Sequence, residues 1–128
     1  MENKKTKINN FEDLKVWKLA HQTVLETYKL SESFPKSEGY RITSQLLRAV
    51  VSIPTNIAEG MGRYSKKEFI QFLVISRGSA EECKYLFLLT KDLGYITENK
   101  FNGLSESLNS IGKMINALIN SLRSTVNQ

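Results

Sequence analysis

What this sequence withholds is informative first: it has one cysteine, one histidine, two prolines and no apolar run longer than the stretch from Tyr85 to Leu89. A lone cysteine, Cys83, closes no internal disulfide, and with His21 as the only histidine there is no recognisable metal-ligating set. So few prolines, with seven glycines, leave little room for a turn-rich β fold. A membrane span needs about 20 consecutive apolar residues, and the N-terminus lacks the hydrophobic segment of a secretion signal, so the chain is expected in the cytoplasm with no membrane partner. Catalytic groupings are missing too. His21 falls on the inward stripe of the first helix, with no serine or cysteine paired to it by any motif. Glu81 and Glu82 are adjacent, which on a helix sends them about 100° apart. Gly60-Met61-Gly62 lacks the strand, spacing and lysine of a phosphate-cradling loop. The expectation is a non-enzymatic binding protein without cofactor or metal.

What is present is helical patterning. An apolar share of 41% and a charged share of 24% over 128 residues describe one globular domain. Lys4, Lys5 and Lys7 against Glu2 make residues 1–10 a flexible basic tail. The spacing predicts helices over about 11–33, 38–60, 65–93 and 97–123, within a bundle spanning 11–124 and followed by a short tail at 125–128. Asn10 reads as the first cap, with Glu12 and Asp13 favoured by the helix dipole, and Leu14, Trp17, Ala20, His21, Val24 and Tyr28 as the inward stripe. Phe34-Pro35 ends that helix. Ile42, Leu46, Ala49 or Val50, Ile53, Ile57 and Met61 mark the second. Ser65-Lys66-Lys67-Glu68 fits a capping box for the third, which Gly94 closes. In the fourth, Phe101, Leu104, Leu108, Ile111, Ile115, Leu118 and Leu122 alternate steps of three and four, the pattern of a bundle seam. Short connections imply an all-α, antiparallel, up-down-up-down four-helix bundle.

Three features go beyond a bare bundle. Tyr85 to Leu89 encircles the third helix, and Phe69 to Ile75 nearly does so; with the small residues between them, this suggests a homo-oligomer interface of Phe69, Phe72, Leu73, Ser76, Gly78, Ser79, Ala80 and Phe87. The alternative is that neighbouring helices cover these residues within one chain. Pro54 should bend or restart the second helix, with Ser52, Thr55, Asn56 and Glu59 near the bend and Gly60 at its end; this is either a polar recognition surface or a fitted bend. Arg41 and Arg48, seven apart, together with Arg63, Lys66 and Lys67 around Tyr64, form a candidate nucleic-acid surface, since cations neutralise phosphates and an interleaved tyrosine can stack on a base. Solvated end-of-helix charges are the plainer account, and a protein-binding adaptor or scaffold is the competing function.

Several segments together resemble a known family. Phe11-Glu12-Asp13-Leu14-Lys15-Val16-Trp17, the stretch from Ser52 to Gly60, Lys66-Lys67-Glu68-Phe69 with Phe72-Leu73, Arg77-Gly78-Ser79-Ala80-Glu81-Glu82 and Leu93-Gly94-Tyr95-Ile96 look like the four-helix bundle proteins encoded in intervening sequences of bacterial 23S ribosomal RNA genes. The resemblance covers about residues 11–122. It implies a bacterial protein, a ring-like homopentamer and no enzymatic activity. Similar bundles accompany reverse transcriptases, so a polymerase is an implied partner besides RNA or other nucleic acid. Ala80 departs from the larger aliphatic residue usual after Gly-Ser.

Overall fold

The structure, a computed structural model, describes residues 10–126, with Val126 defined by its backbone alone. Regular structure among these residues is entirely helical: α1 (Lys15–Ser31), α2 (Ile42–Met61), α3 (Lys66–Asp92) and α4 (Glu98–Val126), with 3₁₀ turns at Phe11–Asp13 and Lys36–Glu38. The basic tail read from residues 1–10 lies outside the described residues except for Asn10, and the C-terminal tail is shorter than expected because α4 absorbs Thr125 and Val126.

Element starts shift where local packing competes with propensity. Asn10 does not cap α1 with its side chain; its carbonyl accepts from the Asp13 amide at 3.0 Å, and Leu14 is extended at φ −76, ψ 129 before α1 begins. Phe11 packs on Trp17 with ring centroids 5.0 Å apart, drawing the chain across the helix start. Likewise α2 begins later than read, after a bend through Arg41 at φ −117, ψ −111. Ser65 does cap α3, accepting from the Glu68 amide at 3.1 Å, and Thr97 does the same for the Lys100 amide at 3.1 Å. Gly94, at φ 84, ends α3: its amide bonds to Lys91 and that of Tyr95 to Thr90, the paired closure in which glycine takes the left-handed position without strain.

α1 packs on α2 and α4, and α3 on α2 and α4, so the four helices enclose one core. Along α2, Gln45, Ser52, Ile53 and Gly60 meet Glu82, Ser79, Ser76 and Phe72 of α3, so the numbering runs in opposite senses. Arg77 with Asn116 and Lys91 with Phe101 show the same reversal between α3 and α4. The α4 seam is Leu104, Leu108, Ile111, Ile115 and Ile119, each no more than 1% exposed. The last of these corrects the expected Leu118, which is half-buried like Leu122: a straight helix at 3.6 residues per turn drifts off a heptad, so the inward position moves one residue on. On α1, Thr23 and Thr27 line the core and bond back to the Leu19 and Thr23 carbonyls at 2.9 and 2.6 Å, while the expected Tyr28 is half exposed.

Four residues assigned to a subunit interface belong inside the single chain instead. Leu73, Ser76, Ala80 and Phe87 are all buried, because α2 and α4 cover two flanks of α3 and bury more of its circumference than one stripe. Phe69 and Phe72 are half-buried against Gly60 at the end of α2. Ser79 is half-buried as well, and Gly78 alone of the eight is fully outward. Of Tyr85 to Leu89, Leu86 and Phe87 point inward, Leu89 is half-buried, and Tyr85 and Leu88 face out.

Candidate nucleic-acid interface

The turn between α2 and α3 gathers the densest positive charge of the expected site. α2 stops as the Gly62 amide folds back on the Ala58 and Glu59 carbonyls at 3.3 and 3.2 Å, and Ser65 restarts helix three residues later. Arg63, Tyr64, Lys66 and Lys67 are thereby all exposed, Tyr64 fully so. The Arg63 guanidinium lies 4.8 Å from the Phe72 ring centroid, a cation–π contact that orients it. None of these cations joins an ion pair among the described residues, although exposed Glu59 and Glu68 flank them. The turn depends on Gly60: a Cβ there would meet Phe72 Cβ at 2.7 Å and Phe69 Cδ1 at 2.9 Å, so glycine alone lets α3 cross this closely.

Arg41 and Arg48 stand apart from that cluster, which corrects the single basic surface expected from sequence. At about 1.5 Å per residue, Arg48 lies about 22 Å and Arg41 about 33 Å from Arg63. They line a groove of about 800 Å³ between α2 and α3, where Glu38 and Glu82 offset their charge. Arg41 Nε sits 3.7 Å from Glu38 Oε1, and Gln45 donates to Glu82 at 3.3 Å. Glu38 also accepts from the Tyr95 hydroxyl at 2.6 Å, and that bond, followed by desolvation and the carboxylate's charge, raises the phenol pKa above its ordinary value.

At Pro54 the helix neither stops nor restarts; α2 runs on through it. Its neighbours are occupied with one another. Asn56 donates to the Ser52 carbonyl and hydroxyl at 2.8 and 2.9 Å, Ser52 and Ser79 hydroxyls pair at 2.8 Å, Ser76 donates to the Ile53 carbonyl at 2.8 Å, and Thr55 to the Val51 carbonyl at 2.8 Å. The two serine bonds tie α2 to α3 beside the proline and the others close within α2, so these polar groups are engaged within the fold; exposed Glu59 takes no part. Cys83 is fully buried, and burial, reinforced by the Glu82 charge, pushes its thiol up to about 12, away from nucleophilic chemistry. His21 is stacked on Trp17 at 4.9 Å.

Sequence reading passed over Arg77, Lys84 and Lys113, which line a second groove between α3 and α4. They come from two helices, and only the seven-residue spacing of Arg77 and Lys84 signalled a shared face. Among the described residues, no group of three or more His, Cys, Asp and Glu gathers to hold a metal, and no helix is long and apolar enough to cross a membrane.

The sequence model of a family described as 23S rRNA-intervening sequence protein matches residues 12–117. The chain belongs to that family. Among solved structures, this 23S rRNA-intervening sequence protein is similar to a protein of unknown function from the S23 ribosomal protein family of Bacteroides thetaiotaomicron VPI-5482, with a TM-score of 0.76 and 24% identity, covering 82% of this chain and 95% of that one. At that identity the likeness speaks for the fold. No curated protein matches the chain. The α2–α3 turn and both grooves of this 23S rRNA-intervening sequence protein fall within the matched residues.

Proposed function

We propose that this chain is a non-enzymatic, cytoplasmic, antiparallel up-down-up-down bundle that assembles with copies of itself into a ring, a pentamer by the family resemblance, and binds RNA through the α2–α3 turn. The observation that carries the reading is the turn itself: three exposed cations around a fully exposed tyrosine within five residues, Arg63 to Lys67. Such a group combines phosphate neutralisation with a stacking platform, and repetition around a ring multiplies its field. Self-association is supported by apolar side chains left outward on α3: Ile75 and Tyr85 are 52% and 59% exposed, and Leu93 is 49% exposed just beyond its end.

RNA affinity is expected to fall steeply between about 50 and 200 mM salt, and Arg63→Glu with Lys67→Glu to abolish binding. Salt-insensitive binding, or none by the unaltered chain to ribosomal RNA or single strands, removes the reading. The same outward apolar residues favour a second reading, an adaptor for a protein such as a reverse transcriptase. A partner that stays bound through nuclease treatment supports it.

A further inference from the structure

The groove between α3 and α4 is open, with a volume of about 590 Å³, and is lined by Arg77 and Lys84 from α3 and Lys113 from α4. A hydrogen bond of 2.7 Å from Arg77 to Asn116 Oδ1 marks the register that the buried seam of the two helices sets. Counted from that bond, Lys113 lies about 4.5 Å and Lys84 about 10 Å along the groove, so cations follow one another on alternating walls at steps of about 5 Å. Two glycines leave room in the lining. A Cβ added at Gly78 or Gly112, both in the lining, would meet nothing within 4 Å. Glu81 is the one carboxylate in the lining, and Lys84 Nζ, 2.8 Å away, neutralises it. Arg77 and Lys113 are therefore uncompensated, neither joining an ion pair among the described residues.

The chemistry selects among ligands. Val74 is the only bulky apolar side chain in the lining, so an amphipathic peptide finds almost nothing to bury there. A chain bearing regularly spaced anions finds two uncompensated cations, Arg77 and Lys113, about one step apart, with Lys84 beyond them shared with Glu81, and the Asn116 amide can donate to oxygens between them.

We propose that the α3–α4 groove is a track for the sugar–phosphate backbone of a single-stranded nucleic acid whose neighbouring nucleotides are held at the α2–α3 turn. The proposal rests on the RNA-binding reading of that turn. Lys67 precedes Arg77 by ten residues, about 15 Å along α3, so a strand leaving the turn reaches the groove within a few nucleotides. Of the outward apolar residues, Leu93 lines the α2-facing side of α3, so self-association through it leaves the track open, whereas Tyr85, four residues after Glu81, borders the track.

The test is fluorescence anisotropy of the full chain with a labelled uridine-rich RNA strand and its DNA counterpart over a salt series. Each phosphate contact contributes about 0.7 to the slope of log affinity against log salt for a single strand. Arg77→Gln with Lys113→Gln is expected to lower that slope by about 1.4, with melting by circular dichroism unchanged, and Lys113→Arg alone to keep the native slope. Equal losses on RNA and DNA assign the groove to phosphate, and a larger loss on RNA adds the ribose hydroxyl. An unchanged slope in the double glutamine variant, while Arg63→Glu with Lys67→Glu abolishes binding, overturns the track and leaves the turn reading standing. Failure of the native chain to bind either strand overturns both. Binding of polyglutamate that depends on Lys113, beside strand binding that does not, assigns the groove to an acidic peptide and also overturns the track.

Discussion

Gly60 lets two helices cross where any side chain would collide with Phe72 Cβ, an atom held by its own backbone and unable to swing aside. Gly60→Ala must therefore push α3 outward, and the expected loss is about 1–3 kcal/mol in a urea titration, the usual range for overpacking. Cys83 offers a chemical probe of the same interior. Its thiol titrates at about 12 in place of 9.0, so the native chain should be inert to a thiol reagent at pH 8 and release one reactive thiol when unfolded. A raised folded value for an acid means that the unfolded chain holds fewer protons above pH 9. The stability it contributes is thus whole below pH 9 and lost as pH climbs toward 12, and Cys83→Ala should flatten that part of the alkaline melting curve.

At the scale of the helices, stability is local at the ends and collective in the seam. Ser65→Ala removes the acceptor for the Glu68 amide and should cost about 1 kcal/mol, read as a lower melting temperature with the fold intact. Leu108→Ala empties a fully buried position and should cost about 2–5 kcal/mol. The cap was legible in the sequence, and the seam from Leu104 to Ile115, because each is a pattern within one segment: Ser65 three residues before Glu68, and leucines and isoleucines at steps of three and four. Leu14 was not, since its extended backbone answers to Phe11 packing on Trp17, a contact between side chains and not a periodicity. Pro54 shows the same limit: in isolation it signals a bend or a restart, whereas α2 is continuous through it and is tied on either side to Ser76 and Ser79, more than 20 positions away.

For the whole molecule, exposed charge and exposed apolar side chains point to different tasks. Ile75, Tyr85 and Leu93 lie outward, and a sedimentation run at micromolar concentration is expected to find a multimer; a single well-folded 14.6 kDa species would refute self-association. Sequence reading found the cations of the α2–α3 turn because they are contiguous. It joined Arg41 and Arg48 to them wrongly, since a residue list carries no distance and α2 separates its two ends by most of its length. The α3–α4 groove carries no such signal, because it exists only once the buried seam brings α3 and α4 side by side in register.

That register has a practical corollary for anyone attaching a reporter. Because α4 runs back along α3, its final turn arrives beside the basic turn, so a fluorophore or affinity handle fused after Val126 crowds the very surface being assayed. An insertion at Gly94, exposed at the far end of α3 and about 40 Å away, would leave that surface unobstructed.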